Sequence, residues 1–248
     1  MYKSPRKFGS FTEQDYILVS PAVDVTAAFA RMMTPCIYVV DLARNNFLYV
    51  SDCLLKHFHC TRDKVMPLGQ RMFEKYISNA SDIPLLRKFD HAFNAAFRQG
   101  KHPDWVDEVM SVDVNMTLGR NVVLIHQKAK VFATDCDGRP WLVLVLVSRS
   151  AMRDGGHIII GNAKSHKRYH FVDDKKKGHW EALPDDRLSD TEMEMLSLSS
   201  RGYSVEEIAA MMYRSVDTVK YYRKNVFARL GVSSVSHALA VADDLCLI

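Results

Sequence analysis

Between Arg214 and Arg229 the chain carries five basic side chains and one acid, Asp217. Within this stretch Val219, Tyr222, Val226 and Leu230 recur at intervals of three and four. On a helix of 3.6 residues per turn they form one inward apolar seam. Lys220, Arg223, Lys224 and Phe227 fall on the other side. A short helix with an apolar seam and an outer row of cations suits entry into the major groove of double-stranded DNA. Phosphates there need positive charge, and base edges need long hydrogen-bonding side chains. On charge alone, a solvated basic face on a small helical bundle stands as the competing reading.

Such a helix has to be positioned, and the flanking sequence supplies the means. Ser189 with Glu192, and Ser204 with Glu207, have the S-x-x-E spacing of a capping box and open two helices. Gly202 stops the first. Ser215 caps VDTVKYYRKNVFARL, and Gly231 ends it at a position that takes a left-handed backbone. Ser233 or Ser234 opens a fourth helix, SVSHALAVADDL. The tight YRS turn at 213–215 joins the second helix to the third, as a helix-turn-helix requires.

The run from Leu188 to Val232 resembles the LuxR-type (GerE-type) helix-turn-helix throughout. It carries L-S-x-x-E at 188–192, the Gly202 turn, E-I-A at 207–209, Ser215, T-V-K at 218–220, Arg223, Asn225 and R-L-G-V at 229–232. The resemblance implies that Lys220, Tyr221 and Lys224 face the bases, that Ser215, Thr218 and Arg223 hold phosphates, and that the last helix forms a dimer contact. Tyr222 stands where the family commonly has histidine, a departure expected to alter packing more than recognition.

Ahead of this segment the pattern is mixed. Residues Asp24 to Met33 read as a short amphipathic helix. CIYVVD (36–41) and FLYV (47–50) read as strands joined by the turn ARNN. Ser51 reads as the cap of a helix through His57, and Asp82 as the cap of a longer one ending at Gly100. The period then becomes two: SVDVNMT (111–117), NVVLIHQKAKVFA (121–133) and WLVLVLV (141–147) form a meander, with the turn DCDGRP before its last strand. GHIIIG and KRYHFVD read as an extra hairpin before KKKGHW. One antiparallel sheet with flanking helices follows. This order, with FLYVSDCLLKHFHCTRDKV and DCDGRPWLVLVLVS, resembles a PAS domain over roughly residues 30–150. The whole chain resembles PAS-plus-LuxR-type regulators of Bacteroidetes.

The expected fold is therefore α+β, with an all-α C-terminal domain. The expected boundaries are a helical extension at 1–33, a PAS-like sensor or dimerisation domain at 34–150, a basic hairpin and linker at 151–184, and the helix-turn-helix domain at 185–248. The PAS resemblance implies a small-molecule, redox or light signal, and no cofactor is named by the residues. A cavity lined by Cys36, Tyr49, Phe58 and His126 is the expectation for a sensor, and a solid core the expectation for a docking or dimerisation module. The flavin-type NCRFLQ motif is absent. Cys53, His57 and Cys60 have spacing that would gather on one side of a metal, but Cys60 falls past the helix end, and ordinary packing is expected. There is no GxSxG, P-loop or HExxH, so no enzyme is indicated.

With 248 residues, 48% of them hydrophobic, either domain can bury a core without staples. Five cysteines without CxxC spacing suggest neither a disulfide framework nor a zinc ribbon, and a reducing, cytoplasmic setting is expected. The longest apolar run, Trp141 to Val147, is far short of a membrane span. The net charge of +4 is too mild to name a partner. Its distribution says more, because eight Lys or Arg stand against three Asp between Arg149 and Trp180. Both faces of strand 141–147 are apolar, which an antiparallel sheet rarely leaves bare. The helices must cover one face, and the helix near Phe29, Met32 and Met33 or a second subunit the other. A homodimer is expected, and RNA polymerase is a further partner for a regulator of this design.

Overall fold

The computed structural model describes residues 2–4, 7–76, 83–98, 107–118, 121–162, 165, 167–173, 178–184, 187–244 and 247. The chain divides into two compact units, residues 1–164 with 168–183, and residues 165–167 with 184–248.

The first unit is built on one sheet. In chain order its elements are β1 (Tyr2–Lys3), α1 (Glu13–Ala30), β2 (Cys36–Asp41), β3 (Asn46–Val50), α2 (Asp52–His57), α3 (Arg62–Val65), α4 (Arg71–Tyr76) and α5 (Ile83–Arg98). The strands β4 (Glu108–Leu118), β5 (Asn121–Thr134), β6 (Pro140–Arg149), β7 (Ile158–Asn162), β8 (Arg168–Val172) and β9 (His179–Ala182) follow. The sheet order is β3-β2-β6-β5-β4-β7-β8-β9, all antiparallel. The exception to a purely antiparallel sheet is β1, which pairs parallel with β5 at Ala133 and Thr134, beyond the residues β4 occupies. The hairpin read from GHIIIG (156–161) and KRYHFVD (167–173) forms as β7 and β8. It also extends the sheet, because the apolar Ile158–Ile160 strand pairs with β4.

The period-two pattern of β6 sorts its side chains between two cores. Val143, Val145 and Val147 join Cys36, Tyr38 and Val40 under residues of α2 to α5, including Leu54, Val65, Met72 and Ala92. On the opposite face Leu142 and Trp141 pack with Val19 of α1. Phe11 stacks on the Trp141 ring at 4.1 Å and Tyr16 meets it edge-on at 5.3 Å. Leu144 and Leu146, on this second face, remain half-buried.

The first helix is longer than its sequence suggested. Expected at 24–33, it begins at Glu13 and ends at Ala30. Thr12 and Asp15 form a capping box that starts it two turns before Pro21, and the helix runs through that proline. Tyr16 anchors it to the sheet by donating to Asp41 at 2.6 Å. Burial and the Asp41 carboxylate hold the Tyr16 hydroxyl well above its ordinary range, so it stays a donor. Asp41 also accepts the N–H groups of Ala43 and Arg44 and so shapes the β2–β3 turn. Gly69 lies against that turn. A Cβ there would collide with the Asn45 carbonyl oxygen, and its φ is +53°. The expected α5 cap Asp82 and stop Gly100, and the basic Lys175, Lys176 and Lys177, lie outside the described residues.

Candidate nucleic-acid interface and sensor cavity

The second unit contains α6 (Asp190–Ser200), α7 (Val205–Met211), α8 (Val216–Leu230) and α9 (Val235–Asp244). Each capping box read from the sequence forms. The Ser189 hydroxyl accepts from the Glu192 N–H, and the Glu192 carboxylate accepts from the Ser189 N–H at 2.8 Å. Ser204 and Glu207 repeat the arrangement, again at 2.8 Å for the returning bond. Those bonds from Ser204 hold the Glu207 carboxyl below its ordinary range. Ser215 caps α8 by accepting from the Thr218 N–H at 3.1 Å, and Gly231 closes it with φ +66°. Satisfying these end groups fixes where each short helix starts, and so fixes the aim of α8.

On α8 the inward seam is Val219 and Val226, both buried, with Tyr222 and Leu230 half-buried. Lys220, Tyr221 and Lys224 are exposed, and Tyr221 keeps 61% of its surface. These three fall at positions 1, 2 and 5 of a five-residue window and share one outward side. Ser215 is exposed and Thr218 half-buried at the N-terminal end, where their hydroxyls lie 2.7 Å apart. Arg223 is half-buried, its guanidinium 5.2 Å from the Phe227 ring centroid. That contact draws it to the flank of the exposed row. Tyr213 was not singled out by the sequence reading. It is 94% exposed with φ +52° in the turn before α8, beside exposed Arg214. Its signal was an aromatic residue at the one connection a helix-turn-helix must keep tight.

The first unit holds a cavity of about 350 Å³ between the first turns of α2 and strands β2, β4, β5 and β6. Its apolar wall includes Leu54, Phe58, Met116, Val123, Ile125 and Val147, and Arg149 stands among the polar lining residues. Of the four residues expected to line one cavity, Cys36 and Phe58 do so. His126 and Tyr49 are not among the lining residues, and alternation along the strands gives the reason. Ile125 faces the cavity, so its neighbour His126 points to the other face, buried 2.9 Å from Asp113. Tyr49 sits opposite Val39, whose neighbours Tyr38 and Val40 belong to the helix-covered core.

Cys36 and Cys53, both in the lining, are joined as a disulfide across 17 residues of sequence, with Cα atoms 5.5 Å apart. The expectation of no disulfide is thereby corrected. The pair is made by a strand meeting a helix, which sequence spacing does not reveal. Cys60, grouped with Cys53 and His57 in the sequence, does not gather with them; Cys36 does, and the donor atoms of Cys36, Cys53 and His57 all lie within 4.8 Å of one another.

Four capped helices with a cation-bearing third helix define a helix-turn-helix domain. The family profile described as "Bacterial regulatory proteins, luxR family" matches residues 186–242, so the C-terminal unit is a LuxR-type domain. Among curated proteins, the transcriptional activator BglJ of Escherichia coli is 39% identical over 72 residues, 29% of this chain and 32% of BglJ. The transcriptional activator EsaR of Pantoea stewartii is 43% identical over 61 residues, 25% of this chain and 24% of EsaR. The match thus spans a third or less of either relative. Among solved structures, a Vibrio cholerae VqmA dimer without target DNA superposes at a TM-score of 0.36, with 16% identity over 91% of this chain and 88% of VqmA. The PAS domain of Bordetella pertussis BvgS superposes at 0.33, with 14% identity over 53% of this chain and 88% of that domain. Overlaps this loose bear on neither ligand nor partner.

Proposed function

We propose that this protein is a sequence-specific, double-stranded-DNA-binding transcription regulator that works as a homodimer, with the first unit as its PAS-like sensor. The observation that carries the reading is the exposed row Lys220, Tyr221 and Lys224 over the buried Val219–Val226 seam of a helix capped at both ends. Lys220 and Lys224 reach base edges, and Tyr221 offers a hydroxyl and an apolar ring beside them. Ser215, Thr218 and Arg223 contact phosphates on the flanks. In the first unit, the cavity favours a small-molecule signal over a solid docking core, because its wall is mostly apolar with a few convergent polar groups. No helix among the described residues is long and apolar enough to cross a membrane. The reading places the regulator in the cytoplasm, assigns it no catalytic step, and leaves RNA polymerase as the partner through which bound DNA is put to use.

The test is selection of bound fragments from a pool of genomic DNA by the full chain. Enrichment of a motif with two related half-sites about one helical turn apart supports the reading. Recovery of fragments without any shared motif, at an affinity equal for all, would overturn it.

A further inference from the structure

We propose that Cys36, Cys53 and His57, when the two cysteines are reduced, bind a thiophilic divalent metal ion of the Zn²⁺ class at the mouth of the first unit's cavity. Their donor atoms all lie within 4.8 Å of one another. Zinc bonds of ~2.3 Å to sulfur and ~2.0–2.1 Å to nitrogen put the two sulfurs and the nitrogen of a tetrahedral site ~3.5–3.8 Å apart. The cluster therefore closes around an ion with small side-chain adjustments. Cys53 is half-buried and His57 exposed, so both have room to make them.

Apart from the bond between the sulfurs, the backbone keeps the two cysteines close, with Cα atoms 5.5 Å apart. Cys53 and His57 are four residues apart on α2 and share a side of that helix. The first turn of α2 is fastened to β2 beside Cys36. The Ser51 N–H donates to the Ile37 carbonyl at 2.8 Å, and the Ile37 N–H donates to the Ser51 hydroxyl at 2.9 Å. Reduction of the pair leaves both bonds intact. Two thiolates and an imidazole make the three-ligand set that leaves a fourth position for water or for a donor atom of a molecule in the cavity. Met116, a soft thioether, lines the same cavity. The two thiolates neutralise the ion, so nearby Arg149 does not oppose it. The balance is simple. A phosphine or dithiol reductant supplies the two electrons that open the disulfide. Each thiol then loses its proton to solvent as the metal–sulfur bond forms, and the ion sheds the waters that the three side chains replace. The site stands independently of whether the first unit senses a signal.

The full chain, reduced with a water-soluble phosphine and stripped by a chelator, is titrated with Zn²⁺ against a chromophoric competitor. One tight Zn²⁺ per chain is expected, and Cd²⁺ in its place should give an ultraviolet thiolate-to-metal band. A Cys36→Ser, Cys53→Ser double variant and His57→Ala should each weaken binding by at least the roughly 10- to 100-fold that loss of an outer-shell partner costs. Cys60→Ser should not change it, and the oxidised wild type should not bind. His57 is exposed, so His57→Ala keeps the fold and carries the test if the buried Cys36 substitution destabilises the chain. Equal Zn²⁺ affinity in the reduced wild type and in His57→Ala, or equal affinity in the reduced and oxidised chains, would overturn the proposal.

Discussion

The Arg229 guanidinium sits 2.9 Å from the Glu192 carboxylate, joining the last turn of α8 to the capping box that opens α6. Glu192 thus serves two ends at once: it accepts from the Ser189 N–H and hydroxyl, and it pairs with a cation 37 residues away. Burial works against its charge, but the bonds from Arg229 and Ser189 prevail and hold its carboxyl below the usual range. The folded-state pKa is lowered, so the unfolded chain binds the proton more readily. The contribution is complete above the ordinary glutamate value of about 4.3 and is lost as pH falls from there through the lowered value. Calorimetric melting between pH 7 and pH 3 should show the second unit losing stability in that window. Glu192→Gln should lower stability at pH 7 by about 1–2 kcal/mol and flatten the acid limb. Parallel pH profiles for the two proteins would contradict this role.

DNA affinity should separate the two kinds of cation on α8. Lys224→Ala is expected to cost about 1–3 kcal/mol on a selected site and to relax preference at one base position. Arg223→Ala should weaken selected and random duplexes alike and lower the salt slope by about one unit. Fluorescence anisotropy at several salt concentrations reads both quantities. Unchanged affinity in both variants would remove this helix from the interface.

Much of the second unit was legible because its signals are local. Caps at Ser189, Ser204 and Ser215 and the stop at Gly231 are set by residues within a turn of each helix end, and they formed where the sequence placed them. The first unit depends on partners far apart in the chain. The Cys36–Cys53 pair and the inward or outward aim of His126 follow from which strand lies beside which, and a strand's alternation does not say which of its faces meets the cavity. The reading of α1 as Asp24 to Met33 missed its first three turns, which begin at the Thr12–Asp15 capping box ahead of Pro21. Proline usually ends a helix, but the strong Thr12–Asp15 start and the packing of Tyr16 and Val19 carry α1 past it.

Gly69 offers a test of the β2–β3 turn. Its φ of +53° disfavours any side chain, and a Cβ would meet the Asn45 backbone. Gly69→Ala should destabilise the first unit by about 1–3 kcal/mol, from backbone conformation and displacement of the turn together. Chemical denaturation followed by tryptophan fluorescence measures it through Trp141, which is buried on the sheet. A variant as stable as the wild type would show that the turn can shift freely.

The remaining prediction concerns the uncovered side of α1. Leu18 and Val25 lie seven residues apart on this helix, and Met32 follows at the same interval just past its end. They are 56%, 55% and 83% exposed, and Phe29 beside them is 57% exposed. A seven-residue spacing keeps apolar side chains on one seam, the arrangement by which two helices pack against each other. Val19 and Tyr16 already hold the other side of α1 against the sheet, so the exposed seam does not serve the unit's own core. A two-fold partner presenting the same seam would cover it, and a dimer gives the DNA-binding units the paired arrangement that two half-sites need. Sedimentation velocity of the full chain at tens of micromolar should therefore give a dimer. Leu18→Glu with Val25→Glu should shift it toward monomer without lowering the melting temperature, because both positions are exposed in the single chain. A dimer unaffected by both charges would move the contact off α1, with α9 the next surface to test. A monomeric wild type would refute the prediction outright.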